Sequence, residues 1–286
     1  MELTLTPSSV RPADLLRGYS LEMTAKDVDA LNAAALIIPA GTRISVTFLP
    51  GEAQAKRIAA AQAVKMHGLV PVPHISARRL ASEEELCELL GALQTDVGVE
   101  QCFVVAGDPP VPAGPYEDAM AIIRSGLLQK YGIRKVGIGG YPEGHPDISQ
   151  EALWQALLDK SAALKSAGLD AEIVTQFGFD AEPVLHWLDR LRDAGIDAPV
   201  RVGLPGPASV KTLLRFAGRC GVSASTAVLR KYGISVTRLL GTSGPDRLLA
   251  NLEAELAPAR HGDVGIHFYP FGGLQTTVEW AQGARR

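Results

Sequence analysis

The loop at residues 139–146 carries an aromatic ring, a carboxylate and an imidazole within five positions, as Tyr141, Glu143 and His145. It follows a short apolar run and precedes a long stretch with helical spacing, so we expect it at the carboxyl end of a strand. Its glycines let a ligand approach the backbone closely, and its prolines stiffen the chain. A loop that only reversed the chain would not need three such side chains, so we interpret it as part of a ligand-binding site.

Polar side chains recur where other short apolar runs end. Because the carboxyl ends of parallel strands meet at one face of a barrel, these residues would share one site. Recurrence at successive strand ends is a stronger indication of function than any single residue. The side chains concerned are Glu22, Thr47, His74, Asp108, Gln176 and Tyr269.

Short apolar strands alternate with amphipathic helices along the chain, which predicts a parallel sheet. Eight such units favour a closed (β/α)8 TIM barrel, formed as a single domain over residues 1–286; an open doubly wound sheet is the alternative. No glycine fingerprint follows the first strand, which argues against a dinucleotide-binding version of that alternative. One helix is predicted over residues 116–131 and a short last one over 276–281. The predicted strands are 19–23, 43–47, 70–75, 101–105, 135–138, 172–176, 199–204 and 264–269.

Composition excludes several classes of protein. The chain has 286 residues, 47% hydrophobic and 21% charged, with a net charge of −3, which is typical of a soluble globular protein without a nucleic-acid surface. No apolar run approaches the roughly 20 residues that span a bilayer, and the amino terminus lacks the pattern of a signal peptide. Cys87, Cys102 and Cys220 are odd in number and widely spaced, which argues against disulfides and favours a reducing cytoplasm.

The motifs at these strand ends resemble, in type and order, those of methylenetetrahydrofolate reductases. The specific part is Tyr141-Pro-Glu-Gly-His-Pro146, and the resemblance extends over nearly the whole chain. It implies a barrel that binds FAD and converts 5,10-methylenetetrahydrofolate to 5-methyltetrahydrofolate, in one-carbon metabolism and methionine biosynthesis. FAD would first take a hydride from a nicotinamide nucleotide and then pass one to the folate. The matching motifs are Pro73-His74, Gly107-Asp-Pro-Pro110, the loop above, Thr175-Gln-Phe177 and His267-Phe-Tyr269.

The resemblance also implies roles for individual residues. Glu22 matches a general acid that opens the folate ring, which requires a pKa raised by burial. Asp108 matches an aspartate near flavin and pterin that stabilises the cationic intermediate. Gln176 and Tyr269 match positions that contact the substrate. The cofactor positions are Thr47, His74, Ala106, Gly107, Asp108, Tyr141, His145 and a lysine, for which Lys160 is preferred to Lys165.

Two departures bear on the electron donor. The family commonly has arginine where this chain has Ala106, and another near Gly273. Arginine makes charge-assisted contacts that neither alanine nor glycine replaces. We therefore expect weak use of NADH and NADPH, or another electron donor, and leave the direction of the reaction open; a homo-oligomer is compatible with the sequence.

Two other functions remain open at this stage. A folate-binding methyltransferase barrel would bind pterin with the same residue types but without flavin, and a non-catalytic folate- or flavin-binding subunit would tolerate the missing arginines. A histidine in an apolar strand is usually a hydrogen-bonded core residue, so we interpret His267 as structural. His67, His186 and His261 are expected on the surface. Since the histidines show no tight pairing with carboxylates, no metal site is expected.

Overall fold

The computed structural model describes residues 15–220, 222 and 242–285. Eight parallel strands close into a barrel, and helices surround it. The prediction of a TIM barrel is confirmed, whereas its extent as a single domain over residues 1–286 stays a prediction. The barrel strands are β1 Ser20–Thr24, β2 Arg43–Thr47, β3 Val70–Ser76, β4 Gln101–Val105, β5 Lys135–Gly140, β6 Asp170–Phe177, β7 Val200–Pro205 and β10 Val264–Tyr269. Around the barrel, their order is β1-β10-β7-β6-β5-β4-β3-β2.

Helices follow the strands and cover the outside of the barrel. They are α1 Val28–Ala34, α2 Gln54–Met66, α3 Glu83–Ala92, α4 Ala119–Arg124, α5 Leu127–Lys130, α6 Gln150–Ser166, α7 Ala181–Asp193, α8 Val210–Cys220, α9 Asp246–Glu255, α10 Pro258–His261 and α11 Leu274–Ala284. Two short strands, β8 Ala208–Ser209 and β9 Thr242–Ser243, form an antiparallel pair beside the barrel. The sequence also predicts two or three helical pieces over residues 225–256, and part of that region lies outside the described residues.

Two predicted helices differ from the structure. The helix expected over 116–131 is two helices, because Gly126 adopts a φ of 73°, which an α-helix cannot accommodate. The first of them begins at Ala119, where the Asp118 side chain accepts a hydrogen bond from the Ala121 amide. The last helix is longer than predicted and extends over Leu274–Ala284.

A buried charge network closes the amino-terminal end of the barrel. The Glu172 carboxylate in β6 accepts hydrogen bonds from Arg43 in β2, from Lys135 in β5 at 2.8 Å and from Arg201 in β7 at 3.1 Å. Arg201 also binds both oxygens of Asp263, just before β10. The pKa of Glu172 falls to about 2 because the neighbouring cations outweigh the effect of burial. Four strands and the residue before β10 are thereby tied together opposite the end where the predicted site residues lie.

Candidate active site

Glu22 is the third residue of β1, and its carboxylate lies between two imidazoles. Its Oε2 atom is 3.9 Å from His74 Nε2 in β3 and 3.7 Å from His267 Nε2 in β10. The Ser20 hydroxyl, two residues earlier on the same face of β1, is 2.8 Å from His267 Nδ1. Glu22 therefore lies within its strand rather than after it, and histidines do pair with a carboxylate here, contrary to the sequence-based expectation.

The electrostatics of this cluster differ from the expectation for Glu22. Burial raises the pKa of Glu22, but a hydrogen bond with His267 and the charges of His74 and His267 outweigh burial, and the pKa is lowered. Burial, with His267 and Arg57 nearby, lowers the pKa of His74 to about 4 despite the Glu22 charge. Glu22 is thus ionised and His74 neutral at pH 7.

His267 also connects Glu22 to the residues at the ends of β10 and β6. Its ring is 4.9 Å from that of Tyr269, with the planes nearly perpendicular. The Tyr269 hydroxyl donates a hydrogen bond of 3.0 Å to the Thr175 carbonyl oxygen, next to Gln176. The Tyr269 ring also lies 5.5 Å from Phe177 and 6.0 Å from Phe271, between ring centroids. An aromatic wall therefore extends from Glu22 toward Gln176.

Gln176 lies in an irregular segment of β6. The pairing of β6 with β7 shifts register between Val174 and Phe177, and such a shift re-aims the side chains within it. The Thr175 hydroxyl accepts a hydrogen bond from the Gly203 amide at 2.8 Å and stabilises the shifted strand. A Cβ atom at Gly203 would lie 2.5 Å from the Thr175 carbonyl oxygen. Only glycine fits opposite this segment, so Gly203 is required for the position of Gln176.

Asp108 follows β4 and pairs with an arginine of the neighbouring strand end. Its Oδ1 atom accepts a hydrogen bond of 2.7 Å from Arg79 Nη2, while the Asp108 side chain remains 74% exposed. The Arg79 guanidinium lies 4.9 Å from the centre of the Phe48 ring, and that of Arg57 lies 4.2 Å from the same ring. Arg57 in turn contacts the His74 carbonyl oxygen at 3.5 Å. Contacts therefore continue from Asp108 to the histidine beside Glu22.

The loop after β5 forms a separate part of the site. The rings of Tyr141 and His145 meet edge to face at 5.7 Å, and burial raises the pKa of Tyr141. Glu143 reaches the loop after β6, where a Cβ atom at Gly178 would lie 2.5 Å from Glu143 Oε1. Tyr141, Glu143 and His145, which the sequence predicts in a ligand-binding loop, thus lie on a common rim of the barrel.

The arrangement can be compared with known proteins. The model of the methylenetetrahydrofolate reductase family matches residues 24–237 of this chain, more than half of its length. The chain belongs to the methylenetetrahydrofolate reductase family. The chain is 28% identical over 209 residues to 5,10-methylenetetrahydrofolate reductase of Escherichia coli, covering 71% of this chain and 66% of that protein. It is 30% identical over 137 residues to methylenetetrahydrofolate reductase (NADH) 1 of Arabidopsis thaliana, covering 43% of this chain.

The chain spans only part of some relatives, with the match covering 23% of the length of the Arabidopsis protein. Among solved structures, it resembles dihydropteroate synthase of Thermus thermophilus, with a TM-score of 0.50 and 14% identity, over 96% of this chain and 98% of that one. At that identity the likeness concerns the barrel fold alone.

The remaining residues that the sequence predicts at the cofactor lie around the same end of the barrel or on α6. Thr47 ends β2, and Ala106 and Gly107 follow β4. Lys160 is half-buried in the middle of α6, where burial lowers its pKa and the charge of Asp118 opposes that effect. Lys165 is exposed in the last turn of the same helix. Because Lys165 is exposed and Lys160 is half-buried, Lys160 is the more constrained of the two lysines.

The donor set at the barrel mouth fits the flavin expected of a reductase of this family. A flat aromatic ring needs hydrogen-bonding groups and apolar walls, which Thr47, His74 and the Tyr141–His145 pair supply. An anionic arm needs a cation, and the Arg57 guanidinium lies beside Phe48. Within the described ranges, no group of three or more histidine, cysteine or acidic side chains is arranged to hold a metal ion. None of the helices described is long and apolar enough to cross a bilayer.

The sequence did not reveal the contacts of three residues. His267, interpreted as a hydrogen-bonded core residue, is buried and bonded to Ser20, and it also lies 3.7 Å from Glu22, a contact that its two-residue spacing from Tyr269 on one strand face could have indicated. Arg79 was not considered at all, and no motif distinguishes it from Arg78. His261, expected on the surface, is buried, and its Nδ1 atom accepts a hydrogen bond from the Ala257 amide at 2.9 Å.

Proposed function

We propose that this chain is a flavin-dependent reductase that interconverts 5,10-methylenetetrahydrofolate and 5-methyltetrahydrofolate. The observation that carries the proposal is the Glu22 carboxylate, placed between His74 and His267 within the barrel of a member of this family. Ring opening of the methylene-bridged folate needs a proton donor, and a carboxyl group at that position can serve as one. The proposal includes FAD as the cofactor and a reducing cytoplasm as the compartment.

The cofactor would be held by residues from four strand ends. Bound FAD would supply the hydride that reduces the methylene carbon of the folate. Thr47 and His74 would contact the flavin, the backbone of Ala106 and Gly107 would let it approach closely, and Tyr141 with His145 would enclose it. Gly107 supports this assignment, because its φ of 92° and its proximity to the Ser76 hydroxyl leave no room for a side chain. Lys160 is the lysine assigned to the cofactor.

Glu22 must gain a proton before it can act as an acid. The contacts of Glu22 in the barrel lower its pKa. A folate that covered the mouth would exclude water from Glu22, and desolvation raises the pKa of a carboxyl group. His267 could pass a proton to Glu22, because one of its ring nitrogens lies 3.7 Å from the carboxylate and the other contacts the Ser20 hydroxyl. His74, with a pKa of about 4, stays neutral at pH 7 and leaves Glu22 free to take up that proton.

The substrate would be oriented by three residues on opposite sides of Glu22. Asp108 can accept hydrogen bonds from the N–H groups of a pterin and stabilise positive charge that develops on it. Gln176 can both donate and accept, which suits the amide edge of the pterin ring. Tyr269, with Phe177 and Phe271, provides an aromatic surface against which a flat ring can pack.

The name of the Arabidopsis relative includes NADH. We propose that this chain also takes electrons from a nicotinamide nucleotide, but uses it weakly. Ala106 cannot make the contact expected of arginine at that position.

The experiment that tests the proposal separates the two half-reactions. Glu22→Gln should slow reoxidation of the reduced flavin by 5,10-methylenetetrahydrofolate by at least about a hundredfold, the usual contribution of a general acid. Reduction of the flavin by NADH should change little, because it needs no proton from Glu22. Glu100→Gln, which alters an exposed carboxylate paired with Arg134 at 3.9 Å, is the matched control. Equal slowing of both half-reactions would remove Glu22 from this role.

A further inference from the structure

The loop that carries Asp108 is fixed by the turn that follows β3. The Arg78 amide donates a hydrogen bond of 2.8 Å to the Ala106 carbonyl oxygen, and the Arg78 carbonyl oxygen accepts one from Ala113. The Arg78 side chain donates to the Glu117 carbonyl oxygen at 2.6 Å and to that of Pro109 at 3.3 Å. The backbone on both sides of Asp108 is therefore held by one turn.

Arg79, the next residue of that turn, contacts the Asp108 carboxylate itself. Its Nη2 atom is 2.7 Å from Asp108 Oδ1, and this hydrogen bond is the main cause that lowers the pKa of Asp108. The Arg79 side chain is only 19% exposed, whereas that of Asp108 is 74% exposed. A packed guanidinium thus restrains a carboxylate that would otherwise move freely in solvent.

Phe48 fixes the guanidinium in turn. Arg79 lies 4.9 Å from the centre of that ring, and its Nε atom is buried without a hydrogen-bond partner, so the side chain is held by packing as well as by Asp108. The other charged groups around it are Arg57 on α2, with Glu52 and Glu85 acting on Arg57. Arg57 lies against the same ring, and the charges of Glu52 and Glu85 on Arg57 and of Asp108 on Arg79 offset the repulsion between the two cations.

We propose that Arg79, in the turn after β3, is the positioning residue for Asp108. This inference rests on the proposed function for its catalytic consequence, but not for the pairing itself. Arg79 holds the Asp108 carboxylate in one orientation beside the carboxyl end of β4, where a pterin cation would form.

The first test reads the pairing without any turnover. Aspartate labelled at the carboxyl carbon, observed by NMR, gives the titration of Asp108, which Asp108→Asn identifies by loss of its signal. The pKa of Asp108 should rise toward the ordinary value in Arg79→Ala and remain lowered in Arg79→Lys, which keeps the charge. An unchanged titration in Arg79→Ala would overturn the inference, whatever activity the chain has.

The second test asks whether Arg79 acts through Asp108. Arg79→Ala should slow folate-dependent flavin reoxidation about tenfold or more, the usual effect of losing a hydrogen bond to a charged group. In the Asp108→Asn background, the same change should have less than about a twofold effect, since coupled residues are not additive. Arg134→Ala, at an exposed arginine, is the control. Full additivity would show that Arg79 acts independently of Asp108 and would overturn the inference, whereas failure of the wild-type chain to react with folate would contradict the proposed function alone.

Discussion

The charge network at the amino-terminal end of the barrel gives a stability prediction with a calculable size. Glu172→Gln removes the carboxylate that binds Arg43, Lys135 and Arg201. The pKa of Glu172 is lowered from 4.5 to about 2 by those cations, and its side chain is only 10% exposed. A shift of that size corresponds to about 3 kcal/mol of folding free energy. The substitution should therefore lower the free energy of unfolding at pH 7 by about 3 kcal/mol.

The sign of the pH dependence follows from the lowered pKa. The stabilisation by Glu172 is fully present above the unfolded pKa of 4.5 and is lost as the pH falls toward 2. Urea unfolding of the wild type and Glu172→Gln should give a difference that falls to about half of its neutral value by pH 3. Glu100→Gln is the control, because its ion pair with Arg134 is exposed and such pairs contribute little. A difference below about 1 kcal/mol at pH 7 would refute the reasoning, since breaking a buried ion pair costs more than that.

Two further predictions concern the site. Gly203→Ala should displace β6 at Thr175 and Gln176, destabilise the chain by about 1–3 kcal/mol and weaken folate binding in a titration. Gly283→Ala is the control, because no atom lies within 4 Å of the added Cβ. Equal effects of the two substitutions would contradict this prediction. Flavin reduction by NADH, followed by stopped flow, should saturate only near about 1 mM, the upper end of the usual range, and saturation at low micromolar NADH would show that arginine at position 106 is not needed for the donor.

The barrel was predictable because its strands are short apolar runs closed by glycine and proline. The predicted bounds of β2, β4 and β10 agree with the structure, because a segment with glycine and proline follows each of these apolar runs. The interruption at Gly126 was missed because a glycine within a helical pattern is often tolerated, and only its backbone conformation shows that it ends a helix.

The sequence indicates candidate residues for the site but not the contacts between them. Strand ends identified Glu22, Asp108 and Gln176, yet the partners of these residues come from strands far away in sequence. His267 reaches Glu22 because β10 closes the barrel against β1, and Arg79 reaches Asp108 because the β3 turn packs on the loop after β4. The lowered pKa of Glu22 depends on those contacts, so composition and spacing alone could not reveal it.

The measurement that tests the central claim most directly is reoxidation of the reduced holoprotein by folate. The purified chain, with FAD added where needed, is reduced by light without oxygen and mixed with 5,10-methylenetetrahydrofolate, while flavin absorbance and product are followed together. The account predicts a bound flavin, reoxidation on mixing, and one 5-methyltetrahydrofolate formed for each flavin reoxidised. A chain that fails to bind FAD in a titration, or a reduced flavin that stays reduced with the folate present, would contradict it.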